Sequence, residues 1–141
     1  NRERKLLVIE RKLYPFGFTP PSGHVDDHGS YEQAAIDELK EEVGLEAVRV
    51  KLVAQGRKEN KCRRDGGDWH MWKIYETEVR GEVNASDREA KAVGWFTANQ
   101  IEKLSHRTQN YLDGQISDKE WESSSGIVTV WYEWFKELKF I

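Results

Sequence analysis

Gly23 to Leu45 reads GHVDDHGSYEQAAIDELKEEVGL, a tight loop running into one helix that carries a cluster of carboxylates. Ser30 is a good N-cap, and Gln33 follows it at the spacing of a capping box. Tyr31 to Val43 then runs without Pro or Gly, and Gly44 is placed to end the helix in a left-handed conformation. Each helical residue turns about 100°. On that wheel Glu38, Glu41 and Glu42 fall within about a third of the circumference. Ala35, Ile36, Leu39 and Val43 form an adjoining apolar arc that faces the core, so the acids line the edge of the buried face.

Like charges three and four residues apart repel, at a cost of a few tenths of a kcal/mol per pair in an isolated helix. A helix needing only solubility would carry Lys or Arg at one of these positions. Two readings stand: a solvated acidic face, or a site for a hard dication, which takes several oxygen ligands and removes the repulsion.

The segment resembles the signature of the Nudix hydrolases, G-x(5)-E-x(7)-R-E-U-x-E-E-x-G-U with U apolar. Gly23 takes its first position, and Glu38, Leu39, Glu41, Glu42, Gly44 and Leu45 take later ones at matching spacing. Pro21-Ser22-Gly23-His24-Val25 also resembles the family's entry to this loop. Two positions depart: Gly29 stands where the family has its first Glu, and Asp37 where it has Arg. Those two family residues pair with each other, so both halves of one ion pair are absent together.

The resemblance implies an α/β fold, an α/β/α sandwich around a mixed β-sheet, over one domain spanning residues 1–141. It implies a phosphoanhydride hydrolase acting on a nucleoside diphosphate linked to another group. Mg²⁺ or Mn²⁺ would be the cofactor, held by the Gly23 carbonyl, Glu38 and Glu42, with Glu41 and Glu89 assisting. Glu89, with Asp87 behind it, matches a family acid that precedes the Trp at Trp95 and completes the metal shell. Glu38 or a nearby acid, Glu41 among them, would orient or deprotonate water. Carboxylates so crowded raise one another's proton affinity, so metal should bind better as pH rises through the mildly acidic range.

The whole chain sets further bounds. Its 141 residues suit one domain burying about two thirds of its chain surface. A formal net charge of −3 supplies no global basic field for nucleic acid. The one cysteine, Cys62, excludes an internal disulfide and fits a reducing, cytoplasmic setting. No apolar run approaches the roughly 20 residues of a membrane span, and no signal-peptide pattern is present.

Taken in order, Lys5 to Arg11 is a short apolar strand. Arg11 matches a family Arg that reaches substrate phosphate; the alternative is a strand-end surface residue. Leu13 to Pro21 reads as a loop, because Pro and Gly oppose a regular ladder; its aromatics Tyr14, Phe16 and Phe18 either stack on a base or plug the core. His24 and His28 lack partners at metal-ligand spacing. Ala47 to Ala54 is an alternating strand with Val48, Val50, Leu52 and Ala54 on one face. Gln55 to Gly67 is a polar connection with the one basic run, in which Arg57, Arg63 and Arg64 are candidate phosphate ligands or simply solvated.

His70 to Val79 is a long strand. Gly81 to Ala92 reads as an acidic loop and Val93 to Phe96 as a short strand. Thr97 caps a helix through Leu104. Ser105 to Ser125 is polar, with a helical turn around Gln109 to Leu112. Ile127 to Leu138 closes the chain as a helix packed through Val128, Trp131, Trp134, Phe135 and Leu138; any apolar excess on its outer face is a candidate homodimer contact. Besides the hydrolase, two readings from other classes follow. One is a weakly active or inactive Nudix-like module that senses a nucleotide. The other is a nucleic-acid binder using Arg57 to Arg64, against which the net charge and short basic run argue.

Overall fold

The computed structural model describes residues 5–23, 25, 29–59, 69–85 and 90–141. Strands and helices are mixed along it: β1 (Leu6–Arg11), β2 (Gly17–Thr19), α1 (Tyr31–Val43), β3 (Glu46–Lys58), β4 (His70–Arg80), β5 (Ala90–Phe96), α2 (Ala98–Leu112), α3 (Asp118–Ser123) and α4 (Thr129–Glu137). The contacts group into two compact units, Pro21–Ala90 on one side and Arg2–Pro20 with Lys91–Ile141 on the other.

In the first unit α1 packs on an antiparallel ribbon of β3 and β4. The helix ends where its sequence says it should: Ser30 Oγ accepts the Gln33 N–H at 3.1 Å, and Gly44 adopts φ 74° and donates its N–H to Lys40 O. The reciprocal half of the expected capping box is replaced, because the Gln33 amide donates to Asp37 Oδ1 at 2.8 Å instead. Ala34, Leu39 and Val43 are the buried positions, whereas Ala35 and Ile36 of the expected arc are only half-buried.

The ribbon departs from the sequence reading. β3 continues through Gln55 to Lys58, which the polar composition had assigned to a loop. Its register slips between Ala47 and Arg49 and again between Leu52 and Ala54. Each slip inserts an extra residue and turns the following side chains over. Strict alternation therefore fails: Val48, Leu52 and Val53 are exposed, whereas Ala47, Val50 and Ala54 face inward.

In the second unit the sheet order is β2-β1-β5. Leu7, Val8 and Ile9 put three consecutive buried side chains into its central strand, as a strand covered on both faces does. β2 is the strand that Pro and Gly were expected to prevent. It forms because it is held from both sides: Phe18 pairs with Glu10 of β1, and its N–H and C=O bond Gly126 and Val128 at 2.9 and 3.1 Å. Gly17, at φ 134°, permits this, since a Cβ there would lie 2.8 Å from Gly126 O. Phe18 then packs against Phe96, their ring centroids 5.4 Å apart.

β5 starts at Ala90, earlier than read. α2 runs on to Leu112, eight residues past the expected end at Leu104, because Ser105 and Thr108 take buried positions on its inner face. Ser105 Oγ donates to Ile101 O one turn back at 2.8 Å, and Thr108 Oγ1 lies 2.8 Å from Ile127 O and 3.1 Å from Leu104 O, one turn back. The short α3 was not foreseen; its buried Trp121 stacks on Tyr111 at 4.3 Å. α4 begins at Thr129, because Ile127 and Val128 are spent on the bridge to β2. Its Trp131, Trp134 and Phe135 are buried as the stripe implied. No described helix is long and apolar enough to cross a membrane.

Candidate functional site

The site is assembled where the loop before α1 folds back along that helix. Glu38 and Glu42 lie one turn apart at the border of its buried face, both half-buried, while Glu41 is exposed. The loop passes beside both. Ser22 donates its backbone N–H to Glu42 Oε2 at 3.3 Å. At the next residue, a Cβ on Gly23 would overlap the Glu38 carboxyl group. Gly23 thus brings bare backbone against one carboxylate while Ser22 holds the other, a close approach that only glycine allows.

Three of the residues expected to bind metal, Gly23, Glu38 and Glu42, are therefore brought together. Glu41 is on the same helix but faces water. Glu89 and Asp87 lie outside the described residues, as do His24, Asp26, Asp27 and His28. Among the described residues no three His, Cys, Asp or Glu side chains gather closely enough to hold a metal by themselves. The donor set still fits Mg²⁺ or Mn²⁺: it is all oxygen, and Mg²⁺ is usually held by one or two carboxylates plus water and substrate phosphate. The absence of a Cβ at residue 23 is what lets the Glu38 carboxylate lie directly against the loop backbone, so that a carboxylate and a backbone carbonyl can serve one cation.

The far end of α1 is fastened by the segment after β4. Asn84 donates its N–H to Val43 O at 2.7 Å, and its Cβ would be 3.2 Å from a Cβ on Gly44. Lys40 and Arg80 both reach Glu46 nearby, at 3.8 and 3.0 Å, exposed pairs worth under about 1 kcal/mol each. At the helix N-terminus, Lys73 Nζ sits 4.7 Å from the Tyr31 ring centre. Burial, and then the charge of Glu32, push the Tyr75 hydroxyl above its ordinary pKa.

Two of the four expected phosphate ligands, Arg11 and Arg57, are among the described residues, one in each unit. Arg11 ends β1, half-buried, with Nη2 3.5 Å from Tyr14 O. Arg57, next to last in β3, pairs with Glu59 at 3.0 Å and lies over the half-exposed Trp69 ring at 4.2 Å. Arg63 and Arg64 lie outside the described residues. Two contributors were invisible in the sequence, the N–H groups of Ser22 and Asn84. Both act through the backbone, so their residue types carry no signal.

The family model for the NUDIX domain matches residues 1–115. The chain is 25% identical over 120 residues to an RNA pyrophosphohydrolase of Sphingopyxis alaskensis, covering 74% of this chain and 76% of that protein. It is 32% identical over 106 residues to an ADP-ribose pyrophosphatase of Methanocaldococcus jannaschii, covering 74% of this chain and 61% of that longer protein. A MutT NUDIX hydrolase from Burkholderia pseudomallei matches in structure with a TM-score of 0.60 at 25% identity, covering 70% of this chain and 78% of the other. A C. elegans Ap4A hydrolase matches with a TM-score of 0.56 at 23% identity, covering 70% and 72%. These likenesses bear out the α/β fold expected from the signature loop and helix.

Proposed function

Because the chain belongs to the NUDIX domain family, we propose that it is a divalent-cation-dependent pyrophosphohydrolase. It cleaves a phosphoanhydride bond in a nucleoside diphosphate linked to another group, and residues 1–141 form a single domain for that purpose. One observation carries the reading: the Gly23 backbone lies against the Glu38 carboxylate, with Glu42 one turn along on the Ser22 N–H. The names of two relatives, RNA pyrophosphohydrolase and ADP-ribose pyrophosphatase, support a pyrophosphate linkage as the target.

The Gly23 carbonyl, Glu38 and Glu42 would hold Mg²⁺ or Mn²⁺, with Glu41 and Glu89 assisting. When bound, such a cation would neutralise anionic phosphate oxygens and make water a better nucleophile. Glu38, fixed against the loop, orients the attacking water and accepts its proton; Glu41 is the second acid for that task. Arg11, Arg57, Arg63 and Arg64 are the candidates to hold phosphate oxygens, Arg57 by exchanging Glu59 for substrate. Positioning and charge stabilisation would then supply most of the rate.

The test is phosphate release from NTPs, nucleotide sugars and dinucleoside polyphosphates with Mg²⁺ or Mn²⁺, wild type against Glu42→Gln. Equal background in both rejects the enzyme. The second reading is a Nudix-like nucleotide sensor with little or no turnover. It is favoured by Gly29 and Asp37, and by the use of Asp37 as acceptor for Gln33 on the helix's own surface. Nucleotide-dependent stabilisation without product would select it.

A further inference from the structure

We propose that the backbone N–H of Asn84 is a positioning group for this site. It holds the last turn of α1, and with it Glu42, in register with the loop at Ser22 and Gly23. The inference rests on the metal-dependent reading above.

A helix leaves its last carbonyls without partners, and its last turn frays unless they are satisfied. Here Gly44 closes back on Lys40 O at 2.9 Å, but that bond leaves the Val43 carbonyl outside the helix ladder. Val43 is fully buried, so water is a poor substitute. The Asn84 N–H takes the role at 2.7 Å, from a residue whose side chain is exposed. Gly44 leaves room for it, since a Cβ there would lie 3.2 Å from Asn84 Cβ and 3.4 Å from Asn84 O.

Glu42 is the residue before Val43, whereas Glu38 lies a full turn deeper in the helix. Releasing Asn84 therefore loosens Glu42 and the Ser22 contact and leaves the Glu38–Gly23 contact in place. The coupling is reciprocal: if the strap orders the site, a cation in the site must order the strap.

The experiment measures Mn²⁺ binding to the metal-free protein by electron paramagnetic resonance, with thermal stability recorded alongside. Asn84→Pro removes the donor and should weaken Mn²⁺ binding about tenfold, the scale of supporting groups around metal ligands. Asn84→Ala keeps the N–H and should retain wild-type affinity. Thr108→Val, destabilised in the other unit, should also retain it. Equal weakening in Asn84→Pro and Asn84→Ala, or in Thr108→Val, overturns the proposal, as does undiminished binding in Asn84→Pro.

Should Asn84→Pro fail to fold, hydrogen exchange on the wild type decides. Mn²⁺ should slow exchange of the Asn84 amide, and an unchanged rate overturns the proposal. Wild type that binds no Mn²⁺, or Glu42→Gln that binds it equally, instead strikes the metal reading beneath both.

Discussion

The carboxyl group of Glu38 occupies the space in which a side chain on residue 23 would begin, so the glycine and the acid specify each other. Gly23→Ala must displace either the loop or the carboxylate. Misplacement of a catalytic group by about 1 Å costs on the order of 100-fold in rate. The expected result is a loss of kcat/KM of that size with the thermal midpoint little changed, read by steady-state kinetics and circular dichroism.

The acids of α1 should rank by burial. Glu38→Gln and Glu42→Gln remove half-buried carboxylates held against the loop, and each should weaken Mn²⁺ binding by about 10- to 100-fold. Glu41→Gln removes an exposed charge, whose influence is screened by salt. Its effect should be smaller and should shrink as ionic strength rises. Titration of Mn²⁺ at two salt concentrations separates the cases.

Gly29 is exposed, and a Cβ built on it meets no described atom within 4 Å. Gly29→Glu should therefore fold with a stability change within about 0.5 kcal/mol, as surface substitutions do. Asp37→Arg gives up the bond from Gln33, which is worth about 0.2–0.5 kcal/mol on a helix surface. Combined, the two restore both members of the family's ion pair. Turnover should rise in the double variant above either single one; no rise in any of the three would show that these positions do not limit activity.

Tyr111 donates its hydroxyl to Asp118 Oδ1 at 2.8 Å, and that bond first, then burial and the Asp118 charge, raise its pKa above the ordinary 10.0. A raised folded-state pKa means the protonated form favours the fold. The contribution is complete below pH 10.0 and is lost as pH climbs through the higher folded value. Tyr111→Phe should flatten this part of the stability–pH curve, as measured by urea unfolding across the alkaline range.

Thr108 is fully buried and its Oγ1 lies 3.1 Å from Leu104 O and 2.8 Å from Ile127 O. Thr108→Val keeps the shape and strands the Ile127 carbonyl. The expected cost is roughly 1–3 kcal/mol, measured by denaturant unfolding, with Mn²⁺ affinity unchanged.

What could be read in advance followed from local physics. The Ser30 cap, the Gly44 stop and the 3.6-residue period of α1 are all near-neighbour effects, and they survive in the fold. So does the placing of Glu38 and Glu42 on the core's border, from which the candidate site was inferred. What could not be read depended on distant partners. β2 is a strand because β1 and the distant Ile127 flank Phe18 on its two sides. The C-terminal half of α2 reads as a polar stretch with only a helical turn around Gln109 to Leu112, because Ser105 and Thr108 occupy its buried stripe with their hydroxyls on the backbone carbonyls of Ile101, Leu104 and Ile127. In β3, Gly56 and the charges around it hid a strand whose bulges broke the alternation used to detect it.

Those two bulges also bear on how the molecule behaves in a crowd. A thirteen-residue strand with Val48, Leu52 and Val53 turned outward is the kind of template onto which stray chains add themselves, the first step toward fibrils. Each inserted residue twists the ribbon and breaks the even ladder that such growth copies. Deleting Val48 or Val53 to regularise β3 would therefore favour stacking of the chain on its own kind.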